Sequence, residues 1–540
     1  MRRLVNVLNA SVTSSLVLAL AACSGGGSSG PTPTSPFSAA PSSTPSASPT
    51  STASAKATPT VAPTTTPTTA PTTTPTTSPT ATPTPSGGSF TPDDWPLFDH
   101  DSARTGTSNE VSGAHATIAL NKLWQMKLGD VADTGPIVVG SMLFVTSHDG
   151  ATYGISTATG AKVWTFTTTG PNITTSTPAY DVTSNTLYAG GVDGRVHRLN
   201  PATGAEEMTN GFPVLVTLAT QTEKDASPLN IANGYVYAQT SAYDGDGTPY
   251  VGHVVAISTS TGQSRVFNTL CSSQTALIMP QSCPEQRSGM WSRSGVVVDP
   301  DSTMGGRVYV ATGNGTDNPS AGYYGDSVLS LAPDASSLLG NYAPTNAAML
   351  DADDLDLGST SPVMLPRQSG SLTPLLAVQG GKDAILRLLD RTNLGGANAL
   401  LQSITMNHGL YSAPAVYLTP SGLTYVYVGL PSGVYAYQLT TMGNTPQLMP
   451  AWTAAVSLGG SGTSPVVRNG VVYVAASNQL VALDATTGTM LASNSALGSV
   501  HWESPSIANG VVYCTDQGGN LTAFAITSNG LPASRIRNVR

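Results

Sequence analysis

The sequence predicts an all-β fold: an eight-bladed β-propeller of four-stranded antiparallel blades, closed by an N-terminal strand and preceded by a disordered linker. Three observations predict it. A pattern of short alternating strands recurs eight times over about 400 residues. Asn-Gly, Asp-Gly and Thr-Gly turns punctuate every copy. An extra strand, LWQMKL (123–128), precedes the first copy, and the last copy fades after LTAFAIT (521–527).

The clearest copy is TSPVVRNGVVYVAASNQLVALDATTGTM (463–490). Alternation at period two marks half-buried strands, and the Gly dipeptides mark tight hairpins. Copies begin near Thr134, Thr177, Ser227, Ser294, Ser361, Ala413, Ser464 and Ser504. A period of about 50 residues with four strands per unit points to a propeller, because one blade cannot bury both of its faces alone. The strand at 123–128 is expected to complete the outer edge of the last blade, which leaves no open edge to aggregate.

The rest of the chain divides by composition. Residues 1–23 place Arg2 and Arg3 before a short apolar run, Leu16 to Ala22, that ends at Cys23. That run is too short to span a bilayer, which takes about 20 apolar residues, so it reads as an export signal. Residues 24–92 are almost wholly Pro, Thr, Ser, Ala and Gly, with Lys56 the only charge. Such a segment buries too little apolar surface to offset the entropy of ordering it and is expected to be disordered. The propeller is expected over 93–528, with a tail at 529–540.

Charged residues are 10% of the chain and the net charge is −9, with no basic stripe. This argues against nucleic acid as a partner. The seven histidines are scattered and no CxxC or HExxH occurs, so neither a zinc site nor attached haem is indicated. Of the four cysteines, Cys271 and Cys283 flank a 13-residue loop and are expected to be bridged in an oxidising compartment. Cys514, on the alternating strand VVYCTD, is expected to be a buried thiol.

Two family resemblances follow. Leu20-Ala21-Ala22-Cys23 resembles the lipobox of bacterial lipoproteins, which implies lipidation of Cys23, anchorage to a membrane and an extracytoplasmic location, at the outer membrane in a Gram-negative cell. The units ALDATTG (482–488), GISTATGAKVWTF (154–166) and RLNPATG (198–204), with the opening DWPLFDHDSARTG (94–106), resemble the pyrroloquinoline-quinone (PQQ) repeat. That family holds both quinoprotein dehydrogenases and propellers that bind no quinone, among them an outer-membrane assembly lipoprotein.

The dehydrogenase side of the resemblance implies a site for PQQ and Ca²⁺. GMWSRSGVVVDPDSTMGGRVYVATGNG (289–315) is similar to the segment that supplies a Trp beneath the quinone and an Asn to the cation, here Trp291 and Asn314. Lys382, in VQGGKDAILRLLDRTN (378–393), matches a lysine that bonds the quinone oxygens. The family's second cation carboxylate has no Glu counterpart; SAYDGDGTPYVGH (241–253) offers Asp244 and Asp246 instead.

Other positions depart from the family. The general base is expected in the turn after the inner strand of blade four, SVLSLAPDASS (327–337), where Ala332 stands and cannot accept a proton. Asp334, Asp351, Asp353, Asp354 and Asp356 lie nearby and could replace it only if the loop were re-aimed. No two cysteines are adjacent, so the family's vicinal disulfide is missing.

Two readings stand at this point. The first, favoured by the missing base, is a non-catalytic propeller binding an envelope protein or glycan. The second is a PQQ- and calcium-dependent dehydrogenase of an alcohol or sugar.

Overall fold

The computed structural model describes residues 93–108, 118–133, 135–243, 245–395 and 398–528. The signal, Cys23, the linker, the tail and Asp244 lie outside them. Among the described residues eight antiparallel sheets form the blades of a propeller, seven of four strands and the third of four with the short strand Glu223–Asp225 added. Their innermost strands begin at Ile137, Ala179, Asn230, Val297, Val363, Ala415, Val466 and Ser506, each within a few residues of an expected repeat start.

The chain closes the ring as the sequence predicts. Ile118–Lys127 pairs antiparallel with Asn520–Ser528, in register from Ile118 opposite Ser528 to Lys127 opposite Asn520, with one irregularity between Lys122 and Trp124. The last blade is therefore built from both ends of the domain.

Alternation along each strand gives a blade two apolar faces, and each packs on a neighbour. Tyr237, Val254 and Val308 bury the face between blades three and four, and Val426, Val428, Leu376 and Leu388 that between blades five and six. Thr-Gly turns make a second contact between blades. The indole Nε1 of Trp124 donates to the Thr157 carbonyl at 2.8 Å, Trp164 to Pro201 at 3.0 Å and Trp452 to Ala485 at 3.0 Å. Each ring lies on the turn glycine of the next blade. At Gly488 (φ 72°) a Cβ would come within 2.5 Å of the Trp452 ring, so the close approach requires glycine.

Residues 93–108 do something periodicity cannot foretell. They cross the ring as a strap along the inner strands. The Asp93 carbonyl accepts from Asn509 N in blade eight, Trp95 pairs with Val138 in blade one, and the Pro96 carbonyl accepts from Tyr180 N in blade two. Ser102, Thr105 and Gly106 carbonyls accept from Val298, Val416 and Val467 N in blades four, six and seven. Arg104, 1% exposed, donates to Phe98 O at 2.7 Å and to Leu229 O of blade three at 2.8 Å.

Blade two carries a charge cluster on its flank. His197 Nδ1 lies 2.7 Å from Glu206 and Nε2 3.1 Å from Asp193. Burial alone would lower the His197 pKa, but the two carboxylate hydrogen bonds outweigh it and hold the pKa above the ordinary value. A raised folded-state pKa stabilises the fold fully below about pH 6.5, and the contribution disappears as pH rises through the folded value. Urea midpoints of wild type and His197→Gln should accordingly differ most below about pH 6.5 and converge as pH rises through the folded-state value. A gap that widens with pH would contradict this assignment.

Candidate functional site

The inner strands are entered by loops on one side of the ring, and the second and third strands of each blade turn on that same side. A cavity of about 610 Å³ lies among these loops. Trp291, Arg293, Tyr411 and Trp502 reach it from segments entering blades four, six and eight, and Asp354 and Asp356 from the segment entering blade five. Lys382 comes from the Gln379–Ile385 turn of blade five, and Asp246 from the long connection after Tyr235–Ala242 in blade three.

The structure brings together the four residues that the family resemblance nominated. Asn314 is 1% exposed, and its Nδ2 donates at 2.9 Å to Asp246 and at 2.9 Å to Asp354. Its backbone N donates to Asp356 Oδ1 at 2.7 Å. Lys382 Nζ donates to Asp354 at 2.7 Å, also contacts Asp356, and lies 5.2 Å from the centre of the Trp291 ring. Trp291 is therefore not buried between blades; it sits beside the ion cluster, its ring 6.1 Å from that of Tyr411 and 6.3 Å from that of Trp502.

Electrostatics divides the carboxylates by role. Burial raises the Asp356 pKa against the pull of Lys382, and its side chain is 7% exposed. For Asp354, partial burial is outweighed by hydrogen bonds from Lys382 and Asn314, which hold its carboxyl below the usual range. Its side chain is 74% exposed, so it is the ionised oxygen pair open to a ligand. Burial likewise opposes Lys382, but Asp356 and Asp354 raise its pKa and keep it protonated. Behind them burial pushes Asp326 up to about 8, and its Oδ1 accepts from Leu357 N at 2.9 Å, fixing the Asp354–Asp356 segment.

These positions correct the expectation about the base. Ala332 accepts no catalytic role because its turn, closed by Ala332 N to Ser337 O, joins the third and fourth strands and so lies at the far end of the blade. The carboxylates come instead from the segment after the short helix Ala347–Ala352. Four acids in six residues, DADDLD (351–356), in a chain only 10% charged was the available signal. Nothing comparable marked Arg293, Tyr411 or Trp502.

The disulfide Cys271–Cys283 closes its loop, and Cys514 is a buried thiol. The loop leads to Arg287, which pairs with Asp351 at 2.9 Å and with the cavity residue Asp246 at 3.5 Å.

The donor set fits a hard cation, which prefers oxygen ligands. Asn314 Oδ1 is buried and accepts no hydrogen bond, a costly state for a carbonyl oxygen. Meanwhile the amide NH₂ bridges two carboxylates, standing where a cation would neutralise them. Rotation of that amide would aim Oδ1 between Asp246 and Asp354 and assemble three oxygen donors. Among the described residues, no three His, Cys, Asp or Glu side chains already converge for a metal. For a quinone the fit rests on Trp291 as a flat stacking face and on the cavity's cations, Lys224, Arg293 and Lys382.

A closed propeller with a loop-lined cavity defines the class, and comparison shows what it is similar to. The family described as outer membrane protein assembly factor BamB matches residues 111–283 and 448–530. Among solved structures, the quinohemoprotein alcohol dehydrogenase of Comamonas testosteroni is 17% identical, with 80% of each chain covered and a TM-score of 0.56. A quinohemoprotein alcohol dehydrogenase of Pseudomonas putida HK5 is 14% identical, with 82% of each chain covered and a TM-score of 0.59. A europium-containing methanol dehydrogenase is 15% identical over 81% of this chain and 98% of that one, with a TM-score of 0.55. At these identities the likeness is one of fold. None of the curated proteins is significantly similar in sequence.

The chain thus shares the eight-bladed propeller fold of the quinoprotein dehydrogenases, and just under half of it matches the assembly-factor family model. The family match covers blades one to three, seven and eight; the unmatched interval carries Trp291, Arg293, Asn314, Asp354, Asp356, Lys382 and Tyr411.

Proposed function

We propose that this propeller is a PQQ- and calcium-dependent dehydrogenase of small alcohols or sugars, held outside the cytoplasm by a lipid on Cys23. One observation carries the reading: Asn314 bridges Asp246 and Asp354 beside Trp291, with its own Oδ1 buried and unpartnered. Asn314 and Asp246 would hold Ca²⁺, and Trp291 and Lys382 the quinone. Bound there, the two groups would supply a Lewis acid and a two-electron acceptor.

The chain's own residues do the rest. Asp354, ionised and open to the cavity, accepts the substrate's hydroxyl proton at a carboxylate oxygen. Lys382 fixes that carboxylate through its 2.7 Å bond, and Asp356 holds Lys382 in turn. Tyr411 and Trp502 wall the cavity against bulk water. The scaffold reading is supported by the match of five blades to an assembly factor, but it leaves the ion cluster without a task.

The test is reconstitution of the full chain with PQQ and Ca²⁺, followed by dye-linked oxidation of alcohols and aldoses. Turnover should require both additions and fall by ~10²–10⁴-fold in Asp354→Asn. Bound quinone with no dye reduction on any substrate would contradict the reading.

A further inference from the structure

A second feature of the cavity is independent of the cation cluster. Arg293 is 5% exposed, yet its side chain lines the cavity. Its guanidinium carbon lies 4.0 Å from the centre of the Trp502 ring, so the planar group is stacked and held in one orientation. Among the described residues none accepts a hydrogen bond from it, and its Nε is buried without a partner.

The two nearest acids are committed elsewhere. Asp133 lies 3.0 Å from His148 Nε2 and accepts from Gln517 at 2.8 Å. Glu503 accepts from Gln517 at 2.6 Å and from His501 N at 2.6 Å. Those acids offset part of the Arg293 charge through space, but its buried Nε–H has no acceptor, which is costly unless a ligand provides one. A carboxylate is the group whose geometry matches the fork.

We propose that Arg293 is a carboxylate-recognition residue, reading an acidic group on a ligand that lies against Trp291 and Trp502. The carboxylate belongs either to the quinone or to an acidic substrate such as a sugar acid. The site stands whether or not the quinone reading does.

Tryptophan quenching of the full chain in Ca²⁺ tests this with three probes: PQQ, its trimethyl ester and D-gluconate. Arg293→Met should weaken binding of a carboxylate probe by at least ~30-fold, as expected when one partner of a buried charge pair is truncated. Ester binding should change less than about 3-fold, because its carboxylates are masked. Arg293→Lys, which keeps the charge and guards against a folding defect, should recover part of the loss. Dependence confined to PQQ assigns the carboxylate to the cofactor. Arg293-dependent gluconate binding assigns it to the substrate, and does so even if wild type binds no quinone, in which case only the quinone reading fails. Equal losses for acid and ester, or carboxylate binding unchanged in Arg293→Met, would overturn the proposal. So would a wild-type protein that binds neither acid.

Discussion

Replacing Asn314 by alanine is expected to lower the cavity's affinity for Ca²⁺ by at least about 100-fold, and turnover with it. Changing groups that merely orient metal ligands costs about 10–100-fold, so loss of a direct oxygen donor should cost no less. The substitution also removes the NH₂ that bridges Asp246 and Asp354 at 2.9 Å each. Those two carboxylates then face each other with only Lys382 and Arg287 to offset them. The backbone bond from Asn314 N to Asp356 survives, so the strand end should keep its place. Calorimetry of Ca²⁺ binding reads the loss, and an unchanged affinity would mean that Asn314 is only a turn residue.

Arg104→Met should destabilise the propeller by about 3–5 kcal/mol, the range for breaking a buried charged contact by removing one partner. Arg104 donates to two carbonyls, Phe98 in the strap and Leu229 in blade three, and thereby fastens the strap where it crosses the ring. Burial pulls its pKa down to about 10, so it remains charged at neutral pH. Asp99, also buried, is pushed well above the usual carboxylate range by burial, with Arg104 the charge that opposes this. Methionine keeps the bulk but leaves the carbonyls and Asp99 without a cation. A lowered urea midpoint with an unchanged slope would report it. A variant within 1 kcal/mol of wild type would show that the strap is fastened by its backbone bonds alone.

The sequence carried the blades because a blade is a local object. Period-two alternation and Gly turns are written within about 50 residues, as in TSPVVRNGVVYVAASNQLVALDATTG. Ring closure was legible for a related reason: one unpaired strand at 123–128 answered a last copy that lacked its outer edge. The strap was not legible, because its partners, Val138, Val298, Val416 and Val467, lie up to several hundred residues away. Its sequence, DWPLFDHDSARTG, has no periodicity to betray a path across seven blades.

The site was half legible. Trp291, Asn314 and Lys382 stood out through family resemblance, which carries the inner-strand framework. Asp354 and Asp356 were expected to need a re-aimed loop, because their segment's entry into blade five on the cavity side could not be read from the sequence. Alternate turns of a blade point to opposite sides of the ring, so a cavity residue must come from a segment entering an inner strand or from a turn between second and third strands. Arg293 was missed because a lone arginine beside a tryptophan has no pattern; only its burial and unpartnered Nε mark it.

The central claim is that the cluster around Asn314 is a cation site beside Trp291, and terbium luminescence tests it without any quinone. Tb³⁺ is a hard, oxygen-seeking stand-in for Ca²⁺, and a nearby indole sensitises its emission. Full-length protein should give saturable luminescence on tryptophan excitation that Ca²⁺ displaces, much reduced in Trp291→Phe and absent in Asn314→Ala. No saturable signal in wild type, or an equal signal in Asn314→Ala, would contradict the account.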